Sequence, residues 1–235
     1  MASGIPPLSK DISVYKSGPI PASVPDKEPK PIRSAEAVEL ARKIRAENIA
    51  REPALTNIVV GLANKIGGVM YGLDNRLKTT ESLARKIDTD VVEDKSLNGS
   101  RAAAAAAVSD ATRYTIGLSG SDYTNKLPII IKELEANGYK CRVKNFWQDG
   151  DPYQGINIKV EKDGVKSELQ IHTPESMSVK EVTHKDYEVV RETSDAATKK
   201  ALWDKMVNMA GKIPHPAHYA NLLGIGVLSF QKLHV

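Results

Sequence analysis

At 235 residues and a net charge of +4, with 41% apolar and 26% charged residues, the chain has the composition of a globular protein of one large or two small domains. No apolar run approaches the roughly 20 residues of a membrane span, and "MASGIPPLSK" carries no apolar signal core, so neither a membrane nor a classical secretory route is expected. Cys141 is the single cysteine, which excludes an intrachain disulfide and a zinc site built on several thiolates.

Residues 1–33 hold seven of the thirteen prolines and few large apolar groups. Such a segment buries too little surface to offset its ordering entropy and reads as a flexible arm. The remainder, 34–235, reads as one domain with helical additions at each end. Ser34 is a candidate N-cap, followed by a helical stripe through Val38, Leu40, Ala41, Ile44 and Ile49 that should end before Pro53. A second helix is expected from the spacing of Leu55, Ile58, Val59, Leu62, Ile66, Val69 and Met70. Gly67, Gly68 and Gly72 loosen this stretch ahead of "RLKTTESLARK", Arg76 to Lys86, where a short helix near Glu81–Ile87 is capped by Thr79 or Thr80. That stretch holds several cations and one acid, so it asks for a negative partner.

Further on, "RAAAAAAV" favours a helix, and "DATRYTIGL" is a strand with Asp110 at its entrance. Residues 122–137 are a helix interrupted early by Pro128 and stopped by Gly138. "YKCRVKNFW" is a strand, and "YQGINIKVEKDGVKSELQIHT" is a hairpin turning at Lys162-Asp163-Gly164. Two helices follow near 175–192 and 194–211, then an irregular, apolar tail. Trp147 and Trp203 are expected in the core. Helices alternating with strands predict an α/β domain with a mixed sheet of about five strands flanked by helices.

Strand alternation separates two faces. Tyr114, Ile116, Ile156, Ile158, Val160, Leu169 and Ile171 form an apolar one. Arg113, Thr115, Arg142, Lys144, Asn157, Lys159, Glu168, Gln170 and His172 form a basic one with an isolated acid, and Asp110 lies near it. A half-solvated sheet is the common explanation of such a pattern. Two carboxylates in a cationic surface instead suit a divalent metal and the phosphates it bridges. Tyr153 on that side could stack a base.

The ordered set "RLKTTESLARK", "DATRY", Tyr123, "KNFW", "YQGIN" and "ELQIHTPESM" resembles the synthetase domain of the RelA/SpoT family over nearly half the chain. Members of that family move pyrophosphate from ATP onto a nucleotide hydroxyl. The resemblance implies that Arg76, Lys78, Ser82 and Lys86, with Arg85 beside them, bind the donor ATP phosphates. It implies that Asp110 and Glu168 bind Mg2+ and that Glu168 activates the attacking hydroxyl. Tyr153, Asn157, Lys144, Gln170 and His172 correspond to the acceptor side. Gly155, Ile156 and Asn157 replace the family's serine-leucine-histidine, and His172 replaces an arginine. "YQGIN" and "ELQIHTPES", followed by Lys180, His184, Tyr187 and Arg191, look more like RelA/SpoT-like toxin domains of bacterial effectors. That implies action in a bacterial cytoplasm after delivery by a non-classical route. It also implies an immunity or antitoxin partner, and a purine nucleotide or the 3′ end of tRNA as acceptor. A housekeeping alarmone synthetase and a non-catalytic nucleotide- or RNA-binding module are the alternatives. Asn157, offering a donor and an acceptor, would suit adenine as well as guanine.

Overall fold

A computed structural model describes residues 33–219. The Pro-rich arm before Arg33 and the end of the apolar tail lie outside the described residues. The domain is α/β, with a five-stranded mixed sheet flanked by helices.

Helix α1 spans Ala35–Lys65. Ser34 caps it: the hydroxyl accepts from the Ala37 N–H at 3.1 Å and donates to Asp88 at 2.9 Å. The break expected at Pro53 does not occur. Ala37 and Ala41 pack against Leu83, Ala84, Ile87 and Ala104 of one apolar cluster, while Leu55, Val59, Leu62 and Ala63 pack against the sheet in another. Interior proline costs about 3 kcal/mol, and burial of Leu and Val side chains at about 1.5–3 kcal/mol each offsets that. The second predicted helix is therefore the other half of α1. It stops at Lys65 rather than Met70, because Gly67 takes a left-handed φ of 67°. Val69–Tyr71 is instead strand β1.

Helix α2, Thr80–Glu93, is capped by Thr79, whose hydroxyl accepts from the Ser82 N–H at 3.1 Å. Helix α3 is Arg101–Ala107, and β2 is Arg113–Gly117. Helix α4, Tyr123–Ala136, continues through Pro128, with Leu127, Ile130 and Leu134 buried. Strands β3, Lys140–Asn145, β4, Ile156–Lys162, and β5, Val165–His172, complete the sheet. Asp163 and Gly164 have φ of 52° and 78°, as a two-residue β4–β5 hairpin turn demands. Helices α5, Pro174–Glu192, and α6, Ala196–Ala210, pack on each other. Trp147 is fully buried, but Trp203 is half-exposed on α6. No described helix is long and apolar enough to cross a membrane.

The strand order is β1-β2-β5-β4-β3, with β2 and β5 parallel and the other pairs antiparallel. Helices α1 and α4 cover the apolar face. The start of α5 turns over the polar face at its β5 end, where Ser176 meets His172 and Lys180 meets Gln170.

Candidate active site

Register gathers the polar face into two rows. One runs Arg142, Lys159, Glu168, Arg113 across β3, β4, β5 and β2. The next runs Lys144, Asn157, Gln170, Thr115 and ends on Tyr71 of β1. Glu168 thus sits with a cation on either side.

Asp110 arrives from the approach to β2. Residues 76–78 pair with residues 111–113: the Lys78 N–H donates to the Ala111 carbonyl at 2.9 Å, and the Arg113 N–H donates to the Arg76 carbonyl at 2.7 Å. This pairing sets Lys78 Nζ 2.6 Å from Asp110 Oδ2. Burial pushes the Asp110 carboxyl up, but Lys78, Lys86 and Arg113 outweigh it and hold the group below the ordinary carboxylate range. Glu168 goes the other way: burial and then the charge of Asp110 push its carboxyl up, with Arg113 only moderating the rise. Two neighbouring carboxylates whose pKa values are driven apart are the usual sign of divided roles, one permanently ionised and one poised to take a proton.

The donor set fits a magnesium ion. Asp110 Oδ1 is buried with no hydrogen-bond partner, while Oδ2 is held by Lys78. Glu168 Oε1 accepts from Gln170 Nε2 at 2.8 Å, and Oε2 has only a 3.5 Å contact from Asn157 Nδ2. Among the described residues no cluster of three or more His, Cys, Asp or Glu is gathered for a metal. One or two carboxylates beside a phosphate site suit magnesium, which keeps several waters and shares its sphere with substrate phosphates.

Arg76 falls outside this cluster. Its Nε donates to Glu52 Oε1 at 2.5 Å, and Glu52 also takes the Thr56 hydroxyl, so the guanidinium is turned toward α1 beside Tyr114. Ser82 and Arg85 are half-buried on α2, and Lys86 pairs with Asp90 at 3.2 Å while lying within electrostatic reach of Asp110.

On the acceptor side, the Tyr153 hydroxyl donates to Asn157 Oδ1 at 2.7 Å and lies 3.0 Å from His172 Nε2. Asn157 is engaged at one end by Tyr153 and at the other by Glu168, and is buried. Its acceptor end therefore orients the tyrosine and is not the free edge the sequence suggested, while its amide lies only loosely against the carboxylate. His172 is fully buried, with Nδ1 2.9 Å from Ser176 Oγ; burial, and then Lys180, push its pKa well down, so the ring is neutral. It supports Tyr153 from behind and is not placed to touch a ligand. Gln170 is likewise buried between Glu168 and Lys180. Lys144 is half-buried, its pKa lowered by burial and then by Lys159 and Arg142.

Two of the departures from the family pattern are one change in space. A Cβ at Gly155 would lie 2.8 Å from the His172 ring, so a buried imidazole at 172 requires glycine at 155. Gly155→Ala is expected to destabilise the fold by about 1–3 kcal/mol through overpacking. In a His172→Ala background the same change should be nearly neutral, a coupling that a thermal-melt double-mutant cycle measures.

Sequence reasoning put Arg113 and Lys159 on the polar face but not in the site. Their signal is the cross-strand register with Glu168, which depends on strand order. Tyr187 also belongs nearby: burial pushes its hydroxyl up to about 12, Asp110 adds to the rise, and Arg191 lies 5.9 Å from its ring. His184 is on the outer side of α5, 67% exposed and 3.8 Å from Glu188. His215 pairs with Asp149 at 3.4 Å and stacks on Tyr219, away from the carboxylates.

No family model matches the chain, and no curated protein matches it. The crystal structure of the complex between the Type VI effector Tas1 and its immunity protein is similar at 21% identity and a TM-score of 0.45, over 75% of this chain and 94% of that chain.

Proposed function

We propose that the protein is a magnesium-dependent pyrophosphokinase that transfers pyrophosphate from ATP to a ribose hydroxyl of a purine nucleotide. The observation that carries this is the divided pair: Asp110, held ionised with one buried oxygen unpartnered, beside Glu168, whose carboxyl is raised. The ordered RelA/SpoT-like stretches supply the reaction class.

In this mechanism Lys78 and Lys86 bind and orient the donor phosphates, and Asp110 and Glu168 would hold the metal. Bound magnesium would neutralise charge on the transferring group. The acceptor hydroxyl oxygen bonds to the β-phosphorus of ATP, the bond from that phosphorus to the α–β bridging oxygen breaks, and AMP leaves with that oxygen. Glu168 Oε2 takes the hydroxyl proton, a general-base contribution of about 10² to 10⁴ in rate. Arg113 and Lys159 flank the reacting group and offset negative charge as it shifts. Tyr153 packs against the acceptor base.

Lys78→Ala and Lys86→Ala are expected to weaken ATP binding by about tenfold or more, since a hydrogen bond to a charged group contributes about 1.5–3 kcal/mol. Calorimetric titration with a non-hydrolysable ATP analogue checks this. A defect confined to the acceptor KM would show that the two subsites are assigned backwards.

On this reading the enzyme acts on the nucleotide pool of a bacterial cytoplasm, as a toxin or effector restrained by an immunity protein. The "YQGIN" and "ELQIHTPES" stretches favour that over a housekeeping role. The direct test incubates the protein with ATP, magnesium and each of GDP, GTP, ADP, AMP and tRNA. AMP release with a pyrophosphoryl addition to one acceptor is expected, and no turnover with any acceptor would overturn the reading. Strong preference for GDP, with no growth defect on expression, would restore the housekeeping role.

A further inference from the structure

Lys180 has no place in the mechanism so far, yet it is set deeply into the site. It reaches from α5 to the polar face, where its Nζ donates to Gln170 Oε1 at 2.6 Å and lies 3.5 Å from His172 Nε2. It makes no ion pair with an acidic side chain among the described residues. The charged and titratable groups facing it are Arg113 from β2, Glu168 and His172 from β5, Glu181 from its own helix, and the Tyr153 ring, 6.0 Å away, from the loop before β4. An ammonium so placed, with Arg113 repelling it, is costly unless hydrogen bonds and opposite charge offset the burial; the Gln170 carbonyl and the nearby Glu168 do so here.

We propose that Lys180 is a positioning residue that fixes the reactive oxygen of Glu168 by locking the Gln170 side chain between them. The inference rests on the reaction proposed above. A glutamine amide presents an acceptor at one end and a donor at the other. An ammonium group can only donate, so Lys180 claims the Oε1 end of Gln170. That leaves Nε2 aimed at Glu168, where it donates to Oε1 at 2.8 Å. Reversal of the amide would set a carbonyl oxygen against a carboxylate oxygen and is opposed at both ends. One lone pair of Glu168 Oε1 is thereby committed to Gln170, and the carboxylate plane is fixed. Oε2, with only the 3.5 Å contact from Asn157, is left to take the proton. The same ammonium lies on the Tyr153 side of His172, so the relay joins the base to the corner that holds the acceptor. General-base catalysis depends on such placement, and a misplacement on the order of 1 Å can lower a rate by about 10².

The test compares Lys180→Met, which keeps the apolar stem and volume, with Lys180→Arg, which keeps a donor-only cation. Kinetics use whichever of GDP, GTP, ADP, AMP and tRNA the wild type turns over. The Gln170 side-chain amide is followed in ¹⁵N-labelled protein by its hydrogen exchange. Lys180→Met is expected to lower kcat by about 10²-fold with KM for ATP unchanged, and to speed exchange of the Gln170 amide. Lys180→Arg should recover most of both. If packing were the whole role, methionine would be at least as good as arginine, and that result would overturn the proposal. So would a Lys180→Met enzyme within about threefold of wild-type kcat, or an unchanged Gln170 amide. Should Lys180→Met not fold, Gln170→Met cuts the relay at its next member, and an unchanged kcat there overturns the proposal equally. A wild-type protein that turns over no acceptor, while Lys180→Met still frees the Gln170 amide, would remove the reaction and leave the locking role standing.

Discussion

Glu168→Gln is expected to abolish transfer while raising the melting temperature. The substitution preserves size and shape, keeps an oxygen for the Gln170 amide, and removes both the base and its charge. Loss of general-base catalysis alone lowers the rate by about 10² to 10⁴, and loss of a metal-binding charge adds to it. The stability change has the opposite sign because the site holds Glu168 against its own preference. Burial and Asp110 raise its carboxyl above the unfolded value of 4.5. A carboxyl raised on folding contributes stability that is full below the unfolded pKa and is lost as pH rises through the folded pKa. As pH rises above the unfolded value the wild type loses that contribution progressively in magnesium-free buffer, and glutamine never had it to lose. The gain in Tm should therefore be present at pH 7 and vanish below about pH 4.5. Activity within a few-fold of wild type would remove Glu168 from the mechanism. A Tm gain that ignores pH would mean the cause is packing.

The faces of the sheet were legible because strand alternation is a local property. Lys144, Asn157, Glu168 and Gln170 could be set on one side from the order of residues alone. What those side chains do there was not legible. Asn157 looked like a free hydrogen-bonding edge. Strand alternation puts its partner Tyr153 on the same strand face, four residues and about 13 Å along. Strand β4 instead begins at Ile156, and Tyr153 reaches Asn157 from the loop before it. Arg76 and Lys78 are two residues apart in one basic stretch and looked equivalent. They part company because Glu52, on a helix read as ending nearby, captures the first. That misreading and the misplaced break at Pro53 share one cause: local rules penalise an internal proline, and only tertiary burial on both sides of it overrides them. Arg113 and Lys159 became neighbours of Glu168 through the β2-β5-β4 order, which joins a parallel pair to a hairpin and leaves no trace in any one strand.

Asp110→Asn should also abolish transfer, and should lower the melting temperature where Glu168→Gln raises it. Burial pushes the Asp110 carboxyl up, but Lys78, Lys86 and Arg113 more than reverse it, so the group sits below its unfolded value of 3.8. A carboxyl depressed on folding contributes stability above the unfolded pKa that is lost as pH falls through the folded pKa. Asparagine removes that contribution and breaks the 2.6 Å pair with Lys78, whose side chain is 21% exposed beside an Asp110 that is 18% exposed. A charged hydrogen bond of this kind contributes about 1.5–3 kcal/mol, so the destabilisation should be measurable at pH 7 and shrink as pH falls below about 3.8. The same change withdraws the unpartnered Oδ1 charge, so magnesium should raise the Tm of the wild type but not that of the variant. It also relieves the repulsion on Glu168, whose carboxyl should return toward its ordinary range. Opposite Tm shifts from two carboxylates that both end activity are hard to produce by general damage to the fold. Shifts of the same sign in magnesium-free buffer at pH 7 would mean that the two groups do not hold the divided roles assigned to them.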